Sequence, residues 1–212
     1  VNQFEGELPV LDLPAYGVRP ALKTYNGSSV TRFIDREVAT GMKNLSRSQG
    51  STLFMGITAA IKILLYKYTG QHDIIIGTPV AGRDDIDLED QIGLYANTLA
   101  IRTKFNGANT YRDVLEYVRR FSTTAYKYQL YPFDRLVNDL GIQRDMGRNP
   151  LFDIQVIVQN ATMNADGAQG EEAGFSAAEY EGAEELSSVF DMVFNFIETE
   201  TGLHLKIVFN TD

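Results

Sequence analysis

The stretch from Ser51 to Gly77 leaves the fewest choices. Leu53, Phe54, Ile57, Ala60, Ile61, Leu64, Leu65 and Tyr68 recur at three- and four-residue spacing between a Ser51 cap and Gly70. That spacing predicts a helix whose apolar face is wide enough to be largely buried against a sheet. Directly after it, D-I-I-I-G (Asp73–Gly77) is continuously apolar, the pattern of a short strand covered on both faces.

The flanking segments extend this layering. Pro9, Pro14 and Pro20 keep residues 1–27 from forming a lasting helix, so they read as an extended lead-in laid over a surface. Ser29–Ile34 is β-branched and roughly alternating, and Asp35 is placed to cap a helix running to about Ser48, with Gly50 as its stop. Leu94–Phe105 reads as strand; Thr110-x-x-Asp113 boxes a second helix with Val114, Leu115, Val118 and Phe121 inward; a short helix follows Pro132. After that the pattern changes: Leu151–Gln159, Phe175–Tyr180, Phe190–Glu198 and Leu203–Asn210 are all predicted strands. Helices in the first two-thirds and strands in the last third suit an α/β sandwich with a mixed sheet. Two loops stand out, Ala81–Gln91 and the small, polar, acidic Asn160–Gly174.

Composition removes whole classes of function. The 212 residues contain no Cys, which excludes a disulfide scaffold, a zinc-thiolate site and a catalytic cysteine. With 44% apolar and 11% aromatic residues the chain buries a sizeable core. A net charge of -9 argues against nucleic acid or an anionic membrane as partner, and no apolar run reaches the roughly 20 residues of a membrane helix. The acidity is concentrated: eleven acidic residues and no Lys or Arg lie between Asn149 and Leu205, a solvated surface or a face meeting a partner. The opening on Val1 and the close in V-F-N-T-D read as a piece of something longer.

Self-contained catalytic chemistry is not visible. His72 and His204 have no partner at metal-ligand spacing and read as solvent-facing, so no metal site is expected. No G-x-S-x-G elbow occurs. Gly77-T-P-V-A-Gly82-Arg83 follows an apolar strand in half the context of a phosphate loop, but Arg83 and Asp84 stand where lysine and hydroxyl belong.

Four segments carry a resemblance. I-G-L-Y-A-N-T-L-A-I-R (Ile92–Arg102) is similar to the I-G-x-F-V-N-T-L-x-x-R motif of nonribosomal peptide synthetase condensation domains. K-Y-Q-L-Y-P-F-D (Lys127–Asp134) resembles that family's H-Q-D-Y-P-F-E, and R-D-M-G-R-N-P-L-F (Arg144–Phe152) its R-D-x-S-R-N-P-L-F. Tyr66–Arg83 resembles the family's passage from long helix to next strand, and the four stand in the family's order and spacing. The departures are Tyr95 and Ala96 for Phe-Val, Tyr128 and Leu130 for His and Asp, and Gly147 for Ser.

The resemblance implies a chloramphenicol acetyltransferase-like two-layer sandwich, a mixed sheet flanked by helices, forming the second lobe of a two-lobed domain. Residues 1–212 would be the C-terminal lobe, with 1–27 as lead-in, 81–91 resembling the floor loop under the tunnel and 160–188 the latch that crosses to the first lobe. The family's H-H-x-x-x-D-G motif belongs upstream, so no catalytic residue is expected in this segment and the chain alone is expected to be inactive. The chemistry implied is amide formation between donor and acceptor thioesters on the phosphopantetheine arms of peptidyl carrier proteins, in the cytoplasm, with no cofactor bound directly. The missing N-terminal lobe, the two carriers and an adjacent adenylation domain are the implied partners. An epimerisation or heterocyclisation relative and a non-catalytic carrier-docking module are the alternatives. Asn97, with Thr98 and Tyr95, is the candidate for tunnel contacts, because a strand-borne carboxamide offers a donor and an acceptor to a passing amide or oxyanion. The other reading has Asn97 and Thr98 holding a strand bend. Arg83, Arg102, Pro132, Phe133, Arg144, Arg148 and Asn149 belong to the motifs as structural residues.

Overall fold

The computed structural model describes residues 2–14, 17–83, 85–88, 91–143, 145–160 and 187–212. Ten elements follow in order: β1 (Gly27–Asp35), α1 (Arg36–Ser48), α2 (Leu53–Thr69), β2 (Asp73–Val80), β3 (Asn97–Lys104), α3 (Tyr111–Lys127), α4 (Phe133–Asp139), β4 (Ile154–Asn160), β5 (Met192–Glu198) and β6 (Gly202–Asn210). The six strands form one sheet in the order β1-β6-β5-β4-β2-β3. β4 runs parallel to both β2 and β5, and the remaining pairs are antiparallel, so the sheet is mixed as expected.

Local chemistry explains the helix ends. Asp35 accepts the Val38 N–H at the start of α1, and Thr110 with Asp113 closes the predicted capping box on α3. The cap of α2 is Thr52 rather than Ser51: the Thr52 hydroxyl accepts the Met55 N–H, whereas the Ser51 N–H donates to Ser46 at the end of the preceding helix. Gly70 ends α2 in the left-handed conformation, φ 71°, which any side chain would make costly.

Alternation along β2 feeds two cores. Ile74 and Ile76 face α1, α2 and α3, together with Ile154, Val156, Phe194, Phe196 and Leu203 from neighbouring strands. Ile75 faces the other way, into a smaller core built with Phe4 of the lead-in, Ala100, Val137 of α4 and Phe152. The continuous apolar run from Ile74 to Ile76 is thereby explained as a strand covered on both faces. Gly77 is the point of closest approach on the second face, where a Cβ would lie 2.0 Å from the Phe152 ring.

Three strands begin later than the sequence suggests, β5 by two residues, at Met192 instead of Phe190. Leu151 takes a left-handed backbone, φ 69°, which turns Leu151 and Phe152 into the second core and delays β4 to Ile154. β3 starts at Asn97, not Leu94, because its ladder partner β2 ends at Val80, opposite Asn97, and residues 92–96 belong to the connecting loop. The predicted strand Phe175–Tyr180 and most of the loop from Asn160 to Gly174 lie outside the described residues. Among the described residues no single helix is long and apolar enough to cross a membrane.

Candidate functional site

The loop from Ala81 to Ala96, joining β2 to β3, is wound around one guanidinium. Arg83 donates through Nη1 to the carbonyls of Leu88 and of Gln91, the latter at 2.7 Å, and through Nη2 to Gly93 at 3.2 Å. Its Cζ lies 4.6 Å from the Tyr95 ring centroid, and the Tyr95 hydroxyl donates to Gln91 Oε1 at 2.6 Å. Gly82 has φ 66°, and a Cβ there would meet the Tyr95 carbonyl at 2.0 Å, so the loop closes on itself only with glycine at that point. The Gly93 carbonyl, spent on Arg83, cannot join a ladder, one reason this part of the chain stays outside the strand. Ile86, Ile92 and Leu94 stand out from this loop into solvent.

Asn97, the first residue of β3, ties two of the sequence motifs together. Its Nδ2 donates to Gln129 O at 2.7 Å and to Tyr131 O at 2.8 Å, and its Oδ1 accepts the Phe133 N–H at 3.1 Å. Both donors of the carboxamide are therefore committed to the turn between α3 and α4. Thr98 pairs with Pro79 in the β2–β3 ladder. Pro132 sits at the N-terminus of α4, where its missing N–H costs nothing, and Phe133 tilts against Phe152 at 5.5 Å between centroids. Tyr128, Leu130 and Tyr131 are exposed beside this tether.

The remaining motif residues lie farther along and hold the lead-in. Arg102, almost fully buried on β3, meets both carboxylate oxygens of Asp73 and donates to the carbonyls of Gln3, Glu5 and Glu7. Arg148 bridges the Leu11 carbonyl and Asp153, while the Asn149 amide N–H caps Asp153 and its Nδ2 donates to Val189 O. Burial is the largest influence on Asp153 and raises its pKa, with Asp191 adding to the effect against the Arg148 contact. Arg19, which sequence reasoning missed, pairs with Asp191 and donates to Gly147 O. Its position just before Pro20 gives no periodic signal. Arg144 lies outside the described residues.

Lys62 was also invisible to that reasoning. It is fully buried on α2, and its Nζ donates to Ile74 O at 2.7 Å and Ile101 O at 2.8 Å, joining β2 to β3 from below. The only available signal is a cation within the apolar run A-A-I-K-I-L-L, and the periodicity of Leu53 to Tyr68 leaves it off the predicted inward face. Burial lowers its pKa to about 7, and the charge on Asp73 opposes that shift. A lysine whose folded pKa is depressed weakens the fold most below the folded value, and the penalty fades as pH rises toward the unfolded value near 10.5. Relative to Lys62→Met, the wild-type chain is therefore expected to gain about 2 kcal/mol between pH 7 and pH 9. Urea titrations of both proteins across that range check it; a constant difference means that Lys62 does not titrate there.

A cleft of about 720 Å³ opens elsewhere, between lead-in residues Leu8–Leu11, α4 and the turn around Pro150. None of its lining residues comes from the Arg83 loop or from Asn97, but the other motifs do contribute, through Asp73–Ile75, Asp134 and Arg148–Phe152. Among the described residues no three His, Cys, Asp or Glu side chains converge as a metal site. His204 is exposed and lies against Phe33, with 4.9 Å between ring centroids.

Comparison with known proteins matches residues 1–212 to the family described as Condensation domain. A plipastatin synthase of Bacillus subtilis (strain 168) is 40% identical over 213 residues, covering 100% of this chain and 8% of the relative. Tyrocidine synthase 3 of Brevibacillus parabrevis is 39% identical over 211 residues, covering 100% of this chain and 3% of that protein. The chain thus spans less than a tenth of the length of these relatives. Among solved structures, a four-domain nonribosomal peptide synthetase bound to AMP and glycine superposes with a TM-score of 0.84 at 25% identity, over 100% of this chain and 17% of its own. The X-domain in complex with OxyB from teicoplanin biosynthesis gives 0.84 at 22% identity, over 98% of this chain and 45% of that one, a likeness of fold alone.

Proposed function

Because the chain belongs to the condensation-domain family of nonribosomal peptide synthetases, we propose that it is the C-terminal lobe of a domain that forms peptide bonds between carrier-bound thioesters. The acceptor's amine attacks the donor's thioester carbonyl; the C–N bond forms, the C–S bond breaks, and the amine proton passes to the departing thiolate through a base that this lobe does not supply. The lobe contributes walls. The loop at 81–91 is the floor of the tunnel and the region 160–188 its latch. The first lobe, donor and acceptor carriers with their phosphopantetheine arms, and an adenylation domain complete the cytoplasmic assembly.

The observation that carries this reading is the Asn97 tether. It links the motif at Ile92–Arg102, whose first residues close the Arg83 loop, to the motif at Lys127–Asp134. Its committed donors favour a role for Asn97 as the fastening of a tunnel wall, with Thr98 and Tyr95 in the same wall. Arg102, Arg148 and Asn149 support the wall from behind by holding the lead-in and the turn before β4.

The test separates lobe from domain. The 212-residue chain and a two-lobed domain that includes it are each incubated with donor- and acceptor-loaded carriers, and dipeptidyl product is followed by mass spectrometry. Product is expected from the two-lobed domain and none from the chain alone. Turnover by the chain alone would place the chemistry within these residues and refute the assignment; absence of turnover in both would refute the peptide-forming reading.

A further inference from the structure

We infer that Arg83 is a positioning residue for substrate binding, acting by holding the loop between β2 and β3 in one shape. This rests on the reading of that loop as the tunnel floor. The loop has no ladder of its own: among its described residues the regular structure is one short turn, Ile86–Leu88. The side chain that reaches most of it is Arg83, which takes carbonyls at Leu88, Gln91 and Gly93 and lies on Tyr95, while Gln91 adds bonds to the Asp87 carbonyl and the Tyr95 hydroxyl. The acceptors of Arg83 come from points five to ten residues beyond it.

A planar guanidinium with five fixed donors can meet several carbonyls and an aromatic face at once; an ammonium cannot. The consequence is directional. Ile86, Ile92 and Leu94, large apolar side chains turned to solvent, keep their places only while the loop backbone is held. Loosening the loop spreads them over many arrangements, and a ligand then loses affinity in proportion to the fraction of loops shaped to receive it. Arg83 has its guanidinium turned into the loop's own carbonyls, so its effect falls on binding and not on the reacting atoms.

Two readouts test this. In the 212-residue chain, Arg83→Gln is expected to speed amide exchange at Leu88 and Gln91, whose N–H groups are bonded inside the loop, by about tenfold or more. In the two-lobed domain the same variant is expected to raise KM for loaded carriers about tenfold, with kcat held within roughly twofold. Arg83→Lys, with one compact donor group, should recover part of both effects. Tyr95→Leu, which removes the ring face and leaves the carbonyl bonds, should fall between wild type and Arg83→Gln. Unchanged exchange in Arg83→Gln overturns the inference, as does faster exchange with KM unmoved, or a loss confined to kcat. If the wild-type two-lobed domain makes no product, the peptide-forming reading has failed, and the exchange measurement alone decides whether Arg83 holds the loop.

Discussion

Arg102→Ala is expected to destabilise the fold by about 3–5 kcal/mol, because it leaves Asp73 as a largely buried carboxylate without its guanidinium. For a chain of this length that corresponds to a fall of roughly 10 °C in melting temperature. The loss should be uneven. Arg102 also holds the carbonyls of Glu5 and Glu7, so the lead-in should come away before the sheet does. Phe4, which the same segment carries into the second core, would follow it into water. Amide exchange should therefore rise first over residues 3–13, at denaturant concentrations that leave β5 and β6 protected. Lys104 also approaches Asp73, at 3.4 Å, but it is well exposed and cannot replace a bidentate partner. Arg102→Lys should recover less than half of the stability, since one ammonium cannot serve a carboxylate and three carbonyls together. A melting temperature within about 2 °C of wild type in Arg102→Ala, by this reasoning, would mean that the lead-in is held by its apolar contacts alone.

Much of the fold follows from patterns local in sequence. Apolar periodicity marks α2 as a helix, although its buried side is broader than the periodic face and leaves Leu64 and Tyr68 exposed, and the continuous run at Ile74–Ile76 marks a strand with two covered faces. The errors arise where backbone groups are claimed by distant side chains. Leu94 looks like strand by composition, yet Arg83 takes carbonyls just before it, at Gln91 and Gly93. Leu151 looks like the start of a strand, yet its left-handed backbone serves the packing of Phe152 against Gly77. Neither competitor is periodic, so neither leaves a mark in a hydropathy pattern. The candidate site shows the same division. The motifs name Arg83, Asn97, Arg102 and Arg148, but only the folded chain shows that each of these side chains satisfies backbone carbonyls, within ten residues for Arg83 and far along the sequence for the other three. Lys62 is the extreme case: its partners, Ile74 and Ile101, are ordinary strand residues whose carbonyls carry no sequence signal at all.

Asn97 allows the sharpest discrimination between wall and substrate contact. Asn97→Ala removes three hydrogen bonds, each worth about 1 kcal/mol, and is expected to cost about 3 kcal/mol in total. Asn97→Asp should be at least as costly near neutral pH for a different reason. It keeps an oxygen for the Phe133 N–H but turns the double donor, which faces the Gln129 and Tyr131 carbonyls, into a second acceptor. Repulsion from those carbonyls favours the protonated acid in the folded state, so the folded pKa of this aspartate rises above its unfolded value. Its destabilisation should therefore lessen as pH falls through the folded pKa, where one O–H again donates to a carbonyl, while Asn97→Ala shows no such recovery. Melting curves of the three proteins at pH 7 and in mild acid separate these cases. Condensation rates on the two-lobed domain, taken below each variant's melting range, complete the comparison. If Asn97 fastens the wall, rate loss should track the loss of melting temperature. If Asn97→Ala instead melts like wild type and still loses about 3 kcal/mol of barrier lowering, the scale of a lost oxyanion donor, its carboxamide is reaching substrate and the fastening role is wrong.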